Sequence, residues 1–230
     1  MAGAQTQADA HADATLDELR VILAPQIAQA AVFDGWSEAA LLSAAEHEGV
    51  DPAVARLAFP SKGPQGRAME MICAWITSVD AAMLAHFADG RLDTMKIRDR
   101  IRALVTFRLH ASAGLEEALS RALAIQAMPQ NLARSLKTGW SSADAMWRLA
   151  GDTATDYNHY TKRALLGSIY AATLAVFVSD ESEAKADTLA FLDRRIEGVM
   201  RFEKTKAQLL QQREHFDVAR FLGRLRYPQA

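Results

Sequence analysis

A single cysteine among 230 residues excludes an internal disulfide. Cys73, inside "MEMICAWI", reads as a small buried apolar residue of a protein kept in a reducing compartment. Strand signals are missing too, since β-branched residues are sparse and period-2 alternation is absent. No uncharged apolar run reaches the roughly 18 residues of a membrane span. The longest, Ala164 to Val178, reads as a core helix. The opening "MAGAQTQADAHADATLDELR" lacks the basic start and apolar core of a signal peptide and the arginine-rich character of a transit peptide. It reads as a disordered tail over 1–14. Net charge is only −2, so the molecule as a whole attracts no charged partner.

Catalytic patterns are scarce as well. The histidines at 11, 47, 86, 110, 159 and 215 are scattered, and no Glu-x-x-His pair offers di-iron spacing. There is no glycine-rich phosphate loop and no Gly-x-Ser-x-Gly. His159 with Asp156 is the nearest approach to an acid–base pair. The sequence therefore predicts no catalytic residue, metal site or cofactor of its own.

What is present is helix. Half the residues are hydrophobic and 23% are charged, enough apolar material for a sizeable core. Leu16, Leu19, Ile22, Leu23 and Ile27 recur at helical spacing over Thr15 to Val32. "DGW" breaks that helix, Ser37 caps a second through His47, and Pro52 opens a third that ends at Phe59. "FPSKGPQG" reads as a linker. Further helices are expected over Arg67 to Phe87, Thr94 to Ser112, from near Leu115, over Leu132 to Leu149, from Gly151, and over Ala184 to Gln211. The expected fold is all-α. It divides into the tail, a helix-turn-helix over 15–60, a helical body over 61–211 and a terminal amphipathic helix over 212–230.

"GWSEAALLSAAEHEGVDPAVARLAF" has the outline of a TetR-type helix-turn-helix. Its chemistry argues against reading DNA. Residues 1–60 carry nine acids against Arg20 and Arg56 alone, and an acidic surface repels the phosphates that supply most affinity. The would-be recognition helix offers mainly alanine and valine, which read little of a base edge. The module is expected to survive as packing, with no nucleic acid as partner.

"GDTATDYNHYTKRALLGSIY" is more distinctive. Thr153 with Asp156 three residues on is a capping-box-like start. His159, Lys162 and Arg163 then share one face with Asp156, flanked by Tyr157 and Tyr160. From Ala164 the helix is apolar all round and is expected inside a bundle. The tip reads either as a solvated helix start with ordinary ion pairs or as a partner-binding patch, for which tyrosine and arginine suit.

"GDTATDYNHYTKRALL", with "FLDRRIEGVM" and "DAMWRLAGDTATD", resembles the signature of the ubiquinone-biosynthesis accessory family of the ninth Coq protein. The "GW" helix-turn-helix and Phe59-Pro60 fit the same family, and the resemblance covers roughly Thr15 to Phe202. It implies a TetR-like all-α homodimer that no longer regulates transcription. It also implies a hydrophobic pocket for an isoprenoid quinone intermediate or phospholipid. The implied partner is the di-iron demethoxyubiquinone hydroxylase, met by the helix start. The family's run at that start is matched at Asn158, Tyr160, Thr161 and Arg163, with Lys162 a conservative change; His159 stands where the family often has tryptophan. Asp156, Asn158, His159, Tyr160, Lys162 and Arg163 make the expected hydroxylase-binding set.

Apolar walls for a lipid are available in Trp75, Ile101, Leu104, Val105, Met146, Trp147, Leu165 and Ile169, each of which reads equally as core. The chain's end is basic, with seven cations against three acids from Arg201 onward. There Val218, Phe221, Leu222 and Leu225 form one stripe, with Arg213, Arg220 and Arg224 opposite. Such a helix packs on its own body or a dimer partner, or lies on a membrane surface. The family also ends in a membrane-associating helix, which favours the surface. Together these readings place the protein in a bacterial cytoplasm, peripherally on the inner membrane. It would present a quinone intermediate to the hydroxylase without catalysis. A TetR-type ligand-responsive repressor is the alternative, and an enzyme acting on a prenyl lipid a third reading.

Overall fold

The Thr15 hydroxyl accepts from Glu18 N at 3.3 Å while the Glu18 carboxylate accepts from Thr15 N at 2.8 Å. This reciprocal capping box starts α1, Leu16–Asp34. Ser37 caps α2, Glu38–Glu48, and Asp51 caps α3, Pro52–Ala58, which has proline in its first turn. Gly49 ends α2 in the left-handed conformation, as a glycine there does at least cost. The computed structural model describes residues 11, 13–61, 66–153 and 157–214. The expected tail thus lies outside the described residues except for His11, Asp13 and Ala14, as does most of the linker.

The chain continues through α4 (Gly66–His86), α5 (Ile97–His110), α6 (Glu116–Gln126), α7 (Leu132–Leu149), α8 (Tyr157–Phe177) and α9 (Ala186–Glu214). A short 3₁₀ turn at Glu183–Lys185 precedes α9, and no strand occurs among the described residues. The fold is all-α, as the composition and periodicity predict. Where boundaries differ from the sequence reading, side chains explain it. α5 starts at Ile97 rather than Thr94 because Arg100 donates to the carbonyls of Asp93 and Met95 and holds them in the preceding turn. "SDESEA" is an ordered turn rather than a plain break. Asp180 accepts from the backbone and hydroxyl of both Ser182 and Thr188. Those bonds hold its carboxyl well below the ordinary range.

The first three helices do not form a separate core. Ala24, Ile27, Ala28 and Ala31 of α1 are fully buried, and the three small alanine side chains let α2 and α4 pack closely on α1. One continuous apolar cluster runs from Leu23 and Ile27 through Trp75 and Leu104 to Phe177 and Leu192. Trp36 is its pin. Its indole donates to the Ala118 carbonyl of α6 at 2.9 Å, and its ring lies 5.5 Å from that of Trp75 in α4.

α4 is the one described helix long and apolar enough to cross a membrane by length and composition. Its Met69, Met71, Ile72, Trp75, Val79 and Met83 are nonetheless buried against other helices, and its Asp80 pairs with Arg108 of α5. Arg108 is a buried charge in this core. Burial pulls its guanidinium down, but Tyr170 and Asp80 more than offset that and hold it above its ordinary value.

α8 corrects an expectation. Its apolar second half does not lie inside the bundle on all sides. Leu166, Thr173, Leu174 and Phe177 turn inward, while Ala164, Leu165, Ser168, Ala171 and Ala175 are exposed. A helix that packs along one side only keeps the other open, whatever its composition.

Candidate functional site

The chain leaves α7 through Gly151, whose φ of 87° suits glycine. A Cβ there would also come 3.0 Å from Arg100 Nη1, which donates to the neighbouring Ala150 carbonyl at 2.9 Å. The turn carries Asp152 back over α7, its own N–H donating to the Trp147 carbonyl at 2.9 Å. Two carboxylates, Asp144 of α7 and Asp152 of the turn, therefore face the first turns of α8.

Arg163 answers both. Its Nε donates to Asp144 Oδ1 at 2.5 Å and its Nη1 to Asp152 Oδ2 at 3.1 Å, with a further bond to the His159 carbonyl. Only 2% of Arg163's surface is exposed. Lys162 reaches Asp152 at 2.6 Å, and Arg148 reaches Asp144 at 2.8 Å. Trp147 ties the same turn from below, donating its indole N–H to the Lys162 carbonyl at 2.9 Å. The Lys162 ammonium sits 5.4 Å from the Trp147 ring centre.

The face expected from residue spacing is thus divided by the structure. Arg163 is a correction: it is buried inside an ion-pair network and offers no surface to a partner, because two carboxylates from α7 and the turn pull it inward. Lys162 is half-exposed but committed to Asp152. Asn158, Tyr160 and Thr161 are exposed, and His159 is half-buried. Asp156, and with it the Thr153–Asp156 capping arrangement, lies outside the described residues.

Tyr160 is the most prominent of these, 63% exposed. It stands on an aromatic group the sequence reading did not assemble. Trp140 of α7 lies 6.0 Å from the Tyr160 ring and 6.4 Å from His159, whose ring meets Tyr160 edge-on at 5.1 Å. Trp140, Asp144 and Asp152 were the residues missed. The signal available for Trp140 was its place four residues beyond Leu136 and eight beyond Leu132 on one helix.

The residues expected to wall a lipid site are mostly brought together. Trp75, Ile101, Leu104, Val105 and Met146 are buried in the one apolar cluster, with Trp147 and Ile169 at its border. Leu165 is the exception and a correction: 38% exposed, it points away from that cluster on the open side of α8. Cys73 is half-buried beside the Thr138 hydroxyl at 3.5 Å rather than enclosed by apolar groups. No group of three metal-ligating side chains gathers among the described residues. At the chain's end Arg213 falls in the last turn of α9 with its side chain outside the described residues. Val218, Arg220, Phe221, Leu222, Arg224 and Leu225 lie outside them altogether.

The COQ9 family profile matches residues 132–203, which span α7, the turn, α8 and most of the described part of α9. The ubiquinone biosynthesis protein COQ9, mitochondrial, of Rattus norvegicus is 34% identical over 183 residues, 76% of this chain and 56% of the relative. Its Homo sapiens namesake is 31% identical over 182 residues, 76% of this chain and 55% of the relative. A probable ubiquinone biosynthesis protein coq9, mitochondrial, of Dictyostelium discoideum is 23% identical over 180 residues, 75% and 56% of the two chains. The chain spans a little over half the length of these relatives.

Proposed function

Since the chain belongs to the COQ9 family, we propose that it serves ubiquinone biosynthesis as a non-catalytic, lipid-binding accessory protein. It takes a prenylated quinone intermediate from the membrane and presents it to the di-iron demethoxyubiquinone hydroxylase. The hydroxylase docks on the start of α8, and the metal chemistry belongs to that partner. A prenyl tail would be sheltered among the apolar residues of α4, α5 and α7. Two copies would meet along the open side of α8, and the basic chain end would rest on the bilayer.

The observation that carries this reading is Tyr160. A tyrosine left 63% exposed, yet held by two neighbouring rings above a buried ion-pair network, has the make-up of an interface anchor. Its ring is pre-positioned, so little side-chain freedom is lost on docking. The repressor reading gains nothing from the fold. Arg20 donates to Asp17 and to the Ala58 carbonyl, and Arg56 to Glu38. Arg56 and Arg67 hold Glu38 below its ordinary range, so the module's cations are engaged with the module's own acceptors.

Replacing Tyr160 by alanine tests the docking. Capture by purified di-iron hydroxylase should weaken at least about tenfold, the scale of a hot-spot tyrosine. The thermal midpoint should stay unchanged, because the side chain is mainly in solvent. Equal capture by wild type and Tyr160→Ala would reject this face.

A further inference from the structure

We propose that the docking surface continues from Tyr160 onto α7, where Trp140, Leu136 and Leu132 form an apolar stripe for an amphipathic helix with an acidic border, presented by the hydroxylase. This extends the docking reading above and rests on it. Leu136 is 67% exposed and Leu132 49%. They stand four residues apart, and Trp140 follows one turn later with its ring against that of Tyr160. Leu132 and Leu136 are exposed and the half-buried Trp140 continues their row, and adjoining large apolar side chains at a surface mark an interaction site rather than chance exposure.

The packing duties of α7 fall on its other sides. Arg134 makes two bonds of 2.7 Å to the Glu70 carboxylate of α4, Thr138 meets Cys73, and Ser142 donates to Asp80 at 2.8 Å. Those contacts settle how α7 sits on α4 and leave the row of Leu132, Leu136 and Trp140 facing away. No described element lies over Leu132 or Leu136, whose exposure is that of surface residues.

Charge points to the kind of partner. The carboxylates near the stripe are all committed: Glu70 to Arg134, Asp144 to Arg148 and Arg163, Asp152 to Lys162 and Arg163. Lys137, exposed and adjacent to Leu136, has no carboxylate partner among the described residues. An apolar row beside one uncompensated ammonium complements a helix whose apolar face is edged by an acid. A bilayer instead selects clusters of cations, and the cationic surplus of this chain lies from Arg201 onward.

The test uses the full chain and purified di-iron hydroxylase immobilised on a sensor surface. Variants are Leu136→Asp, Lys137→Glu, Trp140→Ala and Tyr160→Ala, each checked by circular dichroism and a thermal melt. Leu136→Asp should weaken capture about tenfold or more, and Lys137→Glu about threefold. Trp140→Ala combined with Tyr160→Ala should lose less than the product of the two single losses, because the rings act as one unit. If Trp140→Ala unfolds, Leu136→Asp alone decides, since its side chain is on the surface. Weakening by Tyr160→Ala with full capture by Leu136→Asp would end the surface at α8 and overturn the extension while leaving the docking reading intact. Full capture by both would reject the docking reading and the extension together. Full capture by Leu136→Asp, with loss of co-sedimentation on phosphatidylglycerol vesicles, would make the stripe a lipid face and overturn the proposal.

Discussion

Arg163 and Tyr160 stand three residues apart in one helix and carry opposite duties. Arg163 joins α7, the turn and α8 through Asp144 and Asp152, while Tyr160 projects from the same helical start. Removing the guanidinium would take one partner from the buried Asp152, which also pairs with Lys162, and one from Asp144, which also pairs with the exposed Arg148. Losing one partner of a buried ion pair costs on the order of 3–5 kcal/mol. Arg163→Ala should therefore lower the thermal midpoint by about 10 °C. Lys162→Ala, at a half-exposed site, should cost less than about 1 kcal/mol. A scanning-calorimetry comparison of the two variants checks the assignment, and equal midpoints would mean the network is idle. The spacing of His159, Lys162 and Arg163 was legible in the sequence as one helical face. Which member turned inward was not, because that depended on two carboxylates outside the helix. The ring group was hidden for the same reason: at the place where the resembling family often has tryptophan this chain has His159, and the indole beside it comes from Trp140 of another helix.

At the scale of elements, local chemistry was highly readable. Thr15, Ser37 and Pro52 marked the starts of the first three helices, and Leu132 to Leu149 was expected with the boundaries it has. Caps and helical spacing act within a turn of the chain, so sequence neighbours suffice to determine them. The start of α5 was misplaced because the Arg100 side chain holds the preceding turn open. The orientation of α8 was misread because composition says how apolar a helix is, not how many sides are covered. The terminal segment carries its own prediction. On a helix, Val218, Phe221, Leu222 and Leu225 would share one side with arginines opposite, an arrangement that would suit weak, reversible attachment to an anionic surface. Deleting 213–230 should abolish co-sedimentation with anionic liposomes while leaving the melt of the helical body unchanged. Full retention of the truncated protein on liposomes would contradict the membrane role.

For the molecule as a whole, one apolar cluster unites the first three helices with those that follow, pinned by Trp36 between α4 and α6. A module locked into a shared core, its arginines engaged internally, is suited to packing. Native mass spectrometry of the purified chain should find a co-purified quinone or phospholipid, and a duplex-DNA shift assay at about 100 mM salt should show no retention. A lipid-free protein that shifts DNA would restore the repressor reading. The order of amino acids was enough for the helical class, most helix boundaries, the acidic character of residues 1–60 and the family resemblance. All of these follow from composition, short-range spacing or motif. That Arg163 is buried, that Leu165 faces out, and that Trp140 stands beside Tyr160 came from the packing of the helices. Each of those depends on which helix lies against which. That choice is made by burying apolar surface and pairing buried charge across the fold, and no window along the chain contains both partners' surroundings at once.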